Sequence, residues 1–374
     1  MLKVKEQIIL AVFITLLSVG TAFSQDFWEP QTNITGYIST ELNYFDGVDN
    51  LDVNYGTAIS EAGILVTYQP TSNFTLKSVF VYRPGFQFDQ MLNEAYGQLK
   101  VNDYVNVKVG RFLLPLSPMN TYYYAPVNTS ATLPLLVSNH EFFPLNADGI
   151  SLNGKSGEDV KLSYDLFAGG FRNTTWLRTG AVGFFGSEVT YFSTKQGDPI
   201  SIDESFNNTY NVAAGGNVAL SYKQFATVGF SLFKQKDYII PIGANVPADF
   251  LYPGSPAMYV VQDYEAKKLS YAFNAKLKYE NTTVYGEYWT GDLNINNTDY
   301  DLDGAFVVVS QTINKVTPYV RFEHQTTTSV EYNRYTVGIN YKPSFTRTVK
   351  AEYMLYEQET GNIGGLIATL IYSF

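Results

Sequence analysis

Cysteine is absent from all 374 residues, which removes disulfides, thiolate nucleophiles and thiolate metal sites together. Histidine occurs only at His140 and His324, so imidazole chemistry has little to work with. Charged residues make up 16% of the chain. Ordinary soluble domains carry roughly a quarter, so much of this surface is made for something other than water. The formal net charge of −10 opposes the basic footprint that phosphate backbones require, which argues against nucleic acid as a partner.

Long apolar runs are also missing. A helix needs about 20 consecutive apolar residues to span a bilayer. The run Ile8 to Val19 is shorter, follows Lys3 and Lys5, and precedes Ala22-Phe23-Ser24. That layout is a secretory signal peptide over residues 1–24, cleaved before Gln25, leaving residues 25–374 as the mature domain.

What the chain has in abundance is aromatic surface: 30 Tyr and 26 Phe against 3 Trp, at a near-neutral mean hydropathy of −0.10. A chain poor in charge, rich in aromatics and without a spanning helix is reconciled by a transmembrane β-barrel. Its strands alternate between lipid and lumen, so hydropathy averages out while one face stays apolar. From Asn33 onward, runs of period-two alternation are separated by turn residues. Leu269, Tyr271, Phe273, Ala275, Leu277 and Tyr279 alternate with Ser270, Ala272, Asn274, Lys276 and Lys278. Tyrosines at the ends of the apolar face match the aromatic girdles of the two membrane interfaces.

The connections alternate too. Short turns are expected at Asn102-Asp103, Lys223-Gln224, Glu280-Asn281 and Asn314-Lys315, and long loops at 113–148, 235–267 and 291–303. Short periplasmic turns and long external loops are the barrel pattern. The fold expected is all-β, a transmembrane antiparallel barrel. It has sixteen strands if 169–210 is one external excursion, and eighteen if Ala181–Phe192 and its successor pair as a hairpin. Sixteen is the expectation. The final run, Gly365 to Phe374, resembles the terminal-strand signal by which the barrel-assembly machinery recognises its clients.

The segment Lys108-Val109-Gly110-Arg111-Phe112-Leu113-Leu114-Pro115, with Asn120, Phe143-Pro144 and Ala147-Asp148-Gly149-Ile150-Ser151-Leu152-Asn153-Gly154, resembles the strand, constriction loop and returning strand of the phosphate-selective porin O and P family. The resemblance implies a sixteen-stranded, commonly trimeric, passive channel in the outer membrane, with loop 113–148 folded inward as a constriction. The family's basic phosphate site has no residue-by-residue counterpart here, so anion specificity is not carried over.

Alternation assigns Lys77, Arg83, Lys100, Lys108, Lys161, Lys276, Lys278, Arg321, Arg334 and Lys350 to the lumen, with Glu41, Glu61, Glu94, Asp165, Glu287, Glu323 and Glu352. Such a mixed wall either filters solutes by charge or only supplies the polarity that water-filled channels need. Arg111 stands where the strand enters the loop, either at the constriction or as an anchor for Glu141 or Asp148; Tyr122, Tyr123 and Tyr124 line the narrowing or pack the loop. Ser138, His140 and Glu141 lack a nucleophile elbow, and no enzyme activity is expected. Asp299, Asp301 and Asp303, followed by Gly304, have the spacing of a calcium loop but lack its closing glutamate, so an acidic hairpin is the simpler reading; no other cofactor is implied. The partners expected are outer-membrane lipids, small hydrophilic solutes and further copies in a homotrimer. The alternative is a surface binding or adhesion barrel with an occluded lumen.

Overall fold

The computed structural model describes residues 29–46, 55–84, 91–138, 142–172, 201–203, 210–246, 258–295, 297–326, 331–358 and 361–374. The expected signal peptide, the segment 181–192, His140 and Glu141 lie outside them. The strands are β1 (Gln31–Asp46), β2 (Tyr55–Thr71), β3 (Phe74–Tyr82), β4 (Leu92–Lys100), β5 (Asn106–Leu113), β6 (Asn146–Ser156), β7 (Val160–Arg172), β8 (Ser201–Asp203) and β9 (Tyr210–Tyr222). They continue with β10 (Ala226–Val246), β11 (Met258–Tyr279), β12 (Thr282–Ile295), β13 (Thr298–Gln311), β14 (Val316–Thr326), β15 (Glu331–Ser344), β16 (Arg347–Gln358) and β17 (Gly361–Ser373). Two short helices, α1 (Pro118–Thr121) and α2 (Leu135–Ser138), lie between β5 and β6.

Sixteen of these strands close an antiparallel barrel. The odd one out, β8, only extends the far end of β10, while β7 pairs directly with β9 from Val160↔Tyr222 to Arg172↔Tyr210. Closure runs β1 against β17, from Tyr37↔Ser373 to Asp46↔Gly364. The seam is finished by reciprocal backbone bonds between Gly36 and Phe374, each 2.9 Å. Gly36 matters here because a Cβ on it would stand 2.5 Å from the Phe374 ring. Closure leaves no unpaired edge among the barrel strands, which is what hydrocarbon demands of a backbone.

The period-two pattern resolves into two faces. On β1, Ile38, Leu42 and Tyr44 are exposed outward, while Tyr37, Ser39 and Glu41 are buried inward. On β11, Tyr271 and Tyr279 bracket an outward apolar stretch that includes Phe273 and Leu277. Eight residues of strand span about 26 Å, the scale of the apolar band of an outer-membrane barrel.

Turns and loops needed correction in places. Lys223, Glu280 and Asn314 adopt positive φ of 48°, 49° and 55° in the expected tight turns. The long loops expected at 235–267 and 291–303 are largely strand: β10 and β11 have 21 and 22 residues, β12 runs to Ile295 and β13 begins at Thr298. Crossing takes only about 9–11 residues, so hairpin β10–β11 extends well beyond any bilayer. Hydrogen bonding does not stop where the membrane does, and polar strand residues such as Gln262 and Asp263 read as loop in the sequence.

The apolar core sits inside the cylinder. Leu114, Leu116, Leu136, Val137, Phe142 and Phe143 from the inward segment are at most 2% exposed. They pack with wall residues including Phe112, Phe167, Phe233, Trp289, Leu302 and Phe306. Two smaller clusters hold Tyr123 and Leu133 against Tyr37 and Val81, and Leu135 against Met354 and Ile367.

Candidate pore and its inward loop

The loop is pinned at its base. Asn120 Nδ2 donates to the carbonyls of Leu114 and Leu145 at 2.8 and 2.9 Å, so one side chain joins the outgoing and returning chains. Ser117 caps α1 by accepting from Met119 N at 3.1 Å, and Pro118 begins the helix where its missing N–H is harmless. Ser270 Oγ donates to Phe142 O at 2.8 Å, and Ser231 Oγ donates to Leu116 O. The Phe143 and Trp289 rings lie 4.7 Å apart between centroids.

Wall charges then grip the loop's peptide groups. Lys350 Nζ donates to the carbonyls of Ala125, Asn128 and Ser130 at 2.7, 2.6 and 2.9 Å. Glu352 accepts from Ala131 N and Thr132 N at 3.0 and 3.2 Å. Beside them Glu323 accepts from Leu135 N at 2.7 Å and pairs with Arg321 and Arg334, each at 2.6 Å. Arg321 also reaches Thr132 O at 2.8 Å, and Arg334 reaches Leu133 O at 2.7 Å. Arg334 is fully buried, and Arg321, Glu323, Lys350 and Glu352 are within 2% of it. Buried charges persist only with such partners, because isolated ones are too costly.

Further round the wall, from β2 to β7, the grip continues and then loosens. Arg83 pairs with Glu61 at 2.8 Å and donates to the Tyr123 hydroxyl at 3.0 Å, with its guanidinium 4.3 Å from that ring. Glu94 accepts from Tyr124 at 2.8 Å and pairs with Lys77 at 2.9 Å. Burial, and then the Glu94 charge, push the Tyr124 phenol well above its ordinary pKa, so it stays a donor. Lys108 lies 3.4 Å from Asp165, and Lys77 and Lys108 flank the Tyr96 ring at 5.9 and 5.7 Å. These lysines are only half-buried.

Arg111 takes the second of its two expected roles, anchor to Asp148, and Lys100 keeps its inward parity at the end of its strand. Arg111 does not face the lumen: it stands two residues beyond outward-facing Val109, opposite Ala95 in the register. Its Nε and Nη2 bind Asp148 at 2.6 and 2.8 Å, and Nη1 donates to Leu92 O at 3.1 Å. The parity is fixed, since Lys108 faces inward and three steps along a strand reverse the face. Lys100 reaches the short-turn end of its strand, where it pairs with exposed Asp103 at 2.7 Å, away from the narrowing.

Asp299, Asp301 and Asp303 are strand residues of β13, not a loop. Asp299 accepts from Asn294 and Asp303 from Tyr288, each at 2.6 Å. Among the described residues, no three His, Asp or Glu side chains gather to hold a metal. His324 Nδ1 contacts Asn333 Oδ1 at 3.0 Å across the β14–β15 pair.

Tyr122, unlike its two neighbours, is 43% exposed. It borders a cavity of about 370 Å³ on the short-turn side of the loop, shared with Met119, Val127, Lys276, Val308 and Tyr319. A second cavity of about 70 Å³ lies beside Glu61, Arg83 and Lys350. The serines and Tyr319 that fix the loop were not singled out in the sequence, and Asn120 entered only as one residue of the family resemblance. Small polar residues such as Ser231 and Ser270 on inner faces were the available signal, but their partners lie more than a hundred positions away.

A closed cylinder with an apolar outer skin, inward polar residues and a loop bound across its interior is a porin-class barrel. Solved structures bear this out at the level of fold. The chain superposes on the loop L8 deletion mutant of OmpT, an outer membrane protein of Vibrio cholerae, with TM-score 0.61 at 12% identity, covering 92% of this chain and 99% of that one. The anion-selective porin from Comamonas acidovorans gives 0.60 at 11% identity, covering 92% and 100%. Salmonella typhi OmpF, in complex with daunomycin, gives 0.58 at 11%, covering 92% and 97%. The likeness carries the porin fold and does not single out the phosphate-selective family. No family model matches the sequence, and no curated protein does.

Proposed function

We propose that this protein is a non-enzymatic outer-membrane channel through which small hydrophilic solutes diffuse passively, with the loop between β5 and β6 as its constriction. The observation that carries this reading is the unequal grip on that loop. The β14–β16 wall is held against it by buried, paired charges, while Lys77, Lys108 and Asp165 further round stay half-buried beside Tyr96. Solutes pass along that stretch of wall, between paired charges of both signs, so a transverse field orients them. The reading includes export through the signal peptide, insertion by the barrel-assembly machinery, and assembly as a homotrimer.

Planar-bilayer recording tests it. Purified protein gives stable ion-conducting steps, and a salt gradient gives a reversal potential that reports anion or cation preference. Persistent absence of conductance removes the channel reading.

One observation favours the rival, a binding barrel with an occluded lumen: the loop packs its apolar residues along the wall from β5 to β13 while its other stretch is bonded to β14–β16. Under that rival the purified barrel is electrically silent and its external strands capture a ligand. Excising the loop then opens a barrel that was shut.

A further inference from the structure

The cavity under the loop has a composition that the constriction does not use. Its wall is mostly apolar, with Met119, Val308 and the rings of Tyr122 and Tyr319, and its volume of about 370 Å³ falls in the range of small-molecule sites. The Tyr319 hydroxyl is already committed to Glu352, so that residue offers the space chiefly its ring. Asn128, Thr129, Ser130, Thr227, Thr283 and Ser310 add amide and hydroxyl groups, and two further polar residues stand apart from these. Lys276 is exposed on the inner face of β11, and among the described residues no carboxylate pairs with it. That contrasts with Lys77, Lys108 and Lys350, each of which has partners. Two positions back on the same strand face, Asn274 is 5% exposed and its Nδ2 takes no acceptor. A buried amide nitrogen without an acceptor is uncommon enough to call for an explanation.

We propose that this chamber binds small organic anions with an aromatic or other flat apolar body, such as aromatic carboxylates. The carboxylate meets Lys276, with Asn274 as a second donor, and the ring lies among Met119, Tyr122 and Tyr319. Exposed Lys276 is screened by solvent, so its charge orients the anion at the edge of the recess and the apolar wall holds the rest. The apolar body adds burial that an inorganic anion does not have. Sugars find hydroxyls at Thr227, Thr283 and Ser310, but they bring neither a charge for Lys276 nor a flat apolar body for the tyrosine rings. The inference deepens the channel reading by naming a solute class, yet the site exists as a binding chamber whether or not the barrel conducts.

The test uses the full-length barrel in detergent and in bilayers, with benzoate as probe, benzylammonium as the ring of opposite charge, and glucose as the neutral solute. Titration calorimetry shows benzoate binding, with benzylammonium and glucose inert. Lys276→Gln, an exposed position that leaves the fold intact by gel mobility, weakens benzoate by about tenfold, the loss expected from removing a charged hydrogen-bond partner. Met119→Ala and Tyr122→Ala weaken it further without changing the charge preference. Equal binding of benzoate and benzylammonium, or an unaltered Lys276→Gln variant, overturns the proposal. A barrel that conducts potassium chloride yet ignores benzoate overturns the chamber and leaves the channel standing. A silent barrel whose benzoate binding depends on Lys276 does the reverse.

Discussion

Lys350 and Glu352 stand two residues apart on one inner face of β16 and hold the loop by opposite chemistry. The lysine donates to three consecutive-region carbonyls, and the glutamate accepts from the amides of Ala131 and Thr132 that follow. Together they satisfy the peptide groups of an irregular segment that no sheet partner could reach. Lys350→Met strips the donor from three buried carbonyls and leaves Glu352 without its cationic neighbour. Breaking a buried charged cluster in this way costs about 3–5 kcal/mol. The expected result is a lower unfolding midpoint together with noisier or larger conductance steps, read by denaturant titration and single-channel recording.

Glu323 answers to two guanidinium groups at once. Glu323→Gln removes the carboxylate that Arg321 and Arg334 share, at a cost of the same order, about 3–5 kcal/mol. Pairing it with Arg334→Met relieves part of the loss, because residues sharing a network are not additive. A double-mutant cycle on thermal stability reads the difference. Strict additivity would mean that the three side chains do not act as a unit.

The faces of the wall were legible in the sequence because side chains alternate with a period of two, so one secure apolar residue assigns its neighbours. That is why Tyr37, Glu41, Lys77, Glu94 and Lys108 could be placed inside from sequence. The same rule, applied from Lys108, puts Arg111 outside, and its proximity to the loop was a misleading cue. What alternation cannot supply is the loop's partner list. Lys350 finds carbonyls more than 200 positions earlier, and that pairing is fixed by packing of the whole cylinder. Strand ends were unreadable for a related reason: β10 and β11 continue past the apolar band with polar residues that look like loop.

Gly338 gives Tyr319 its place. A Cβ there would lie 2.3 Å from the Tyr319 ring, and that ring carries the hydroxyl that meets Glu352. Gly338→Val therefore displaces Tyr319 and frees one side of the loop without touching a charge. The expected signature is a loop that becomes protease-sensitive while the barrel keeps its compact gel mobility. An uncut loop would show that Lys350 and Glu352 suffice alone.

Arg111 and Asp148 form a two-pronged ion pair on the outward face, with side chains 20% and 36% exposed. Charges on a lipid-facing surface cost up to about 2–4 kcal/mol near the midplane and much less near the interface. Asp148→Asn leaves the guanidinium unneutralised and lowers stability, whereas Arg111→Met with Asp148→Asn recovers most of it. If the pair instead lies in a contact between barrels, the double variant stays stable but runs as a monomer. Unfolding and native-gel mobility, measured on the same three variants, separate the two settings.

The natural absence of cysteine makes the interior directly addressable. Tyr122→Cys places a thiol where the ring is 43% exposed beside the cavity, and Phe143→Cys places one where the side chain is fully buried. A charged, water-soluble thiosulfonate reacts with thiolate that water can reach, and reactivity follows exposure. Tyr122→Cys is therefore modified quickly from the short-turn side, and benzoate slows the reaction if it occupies the chamber. Phe143→Cys stays unreacted until the barrel is unfolded. Rapid modification of both would mean that the apolar seal between the loop and Trp289 opens in the native barrel, and the constriction would then be wider than the packing around Phe143 allows.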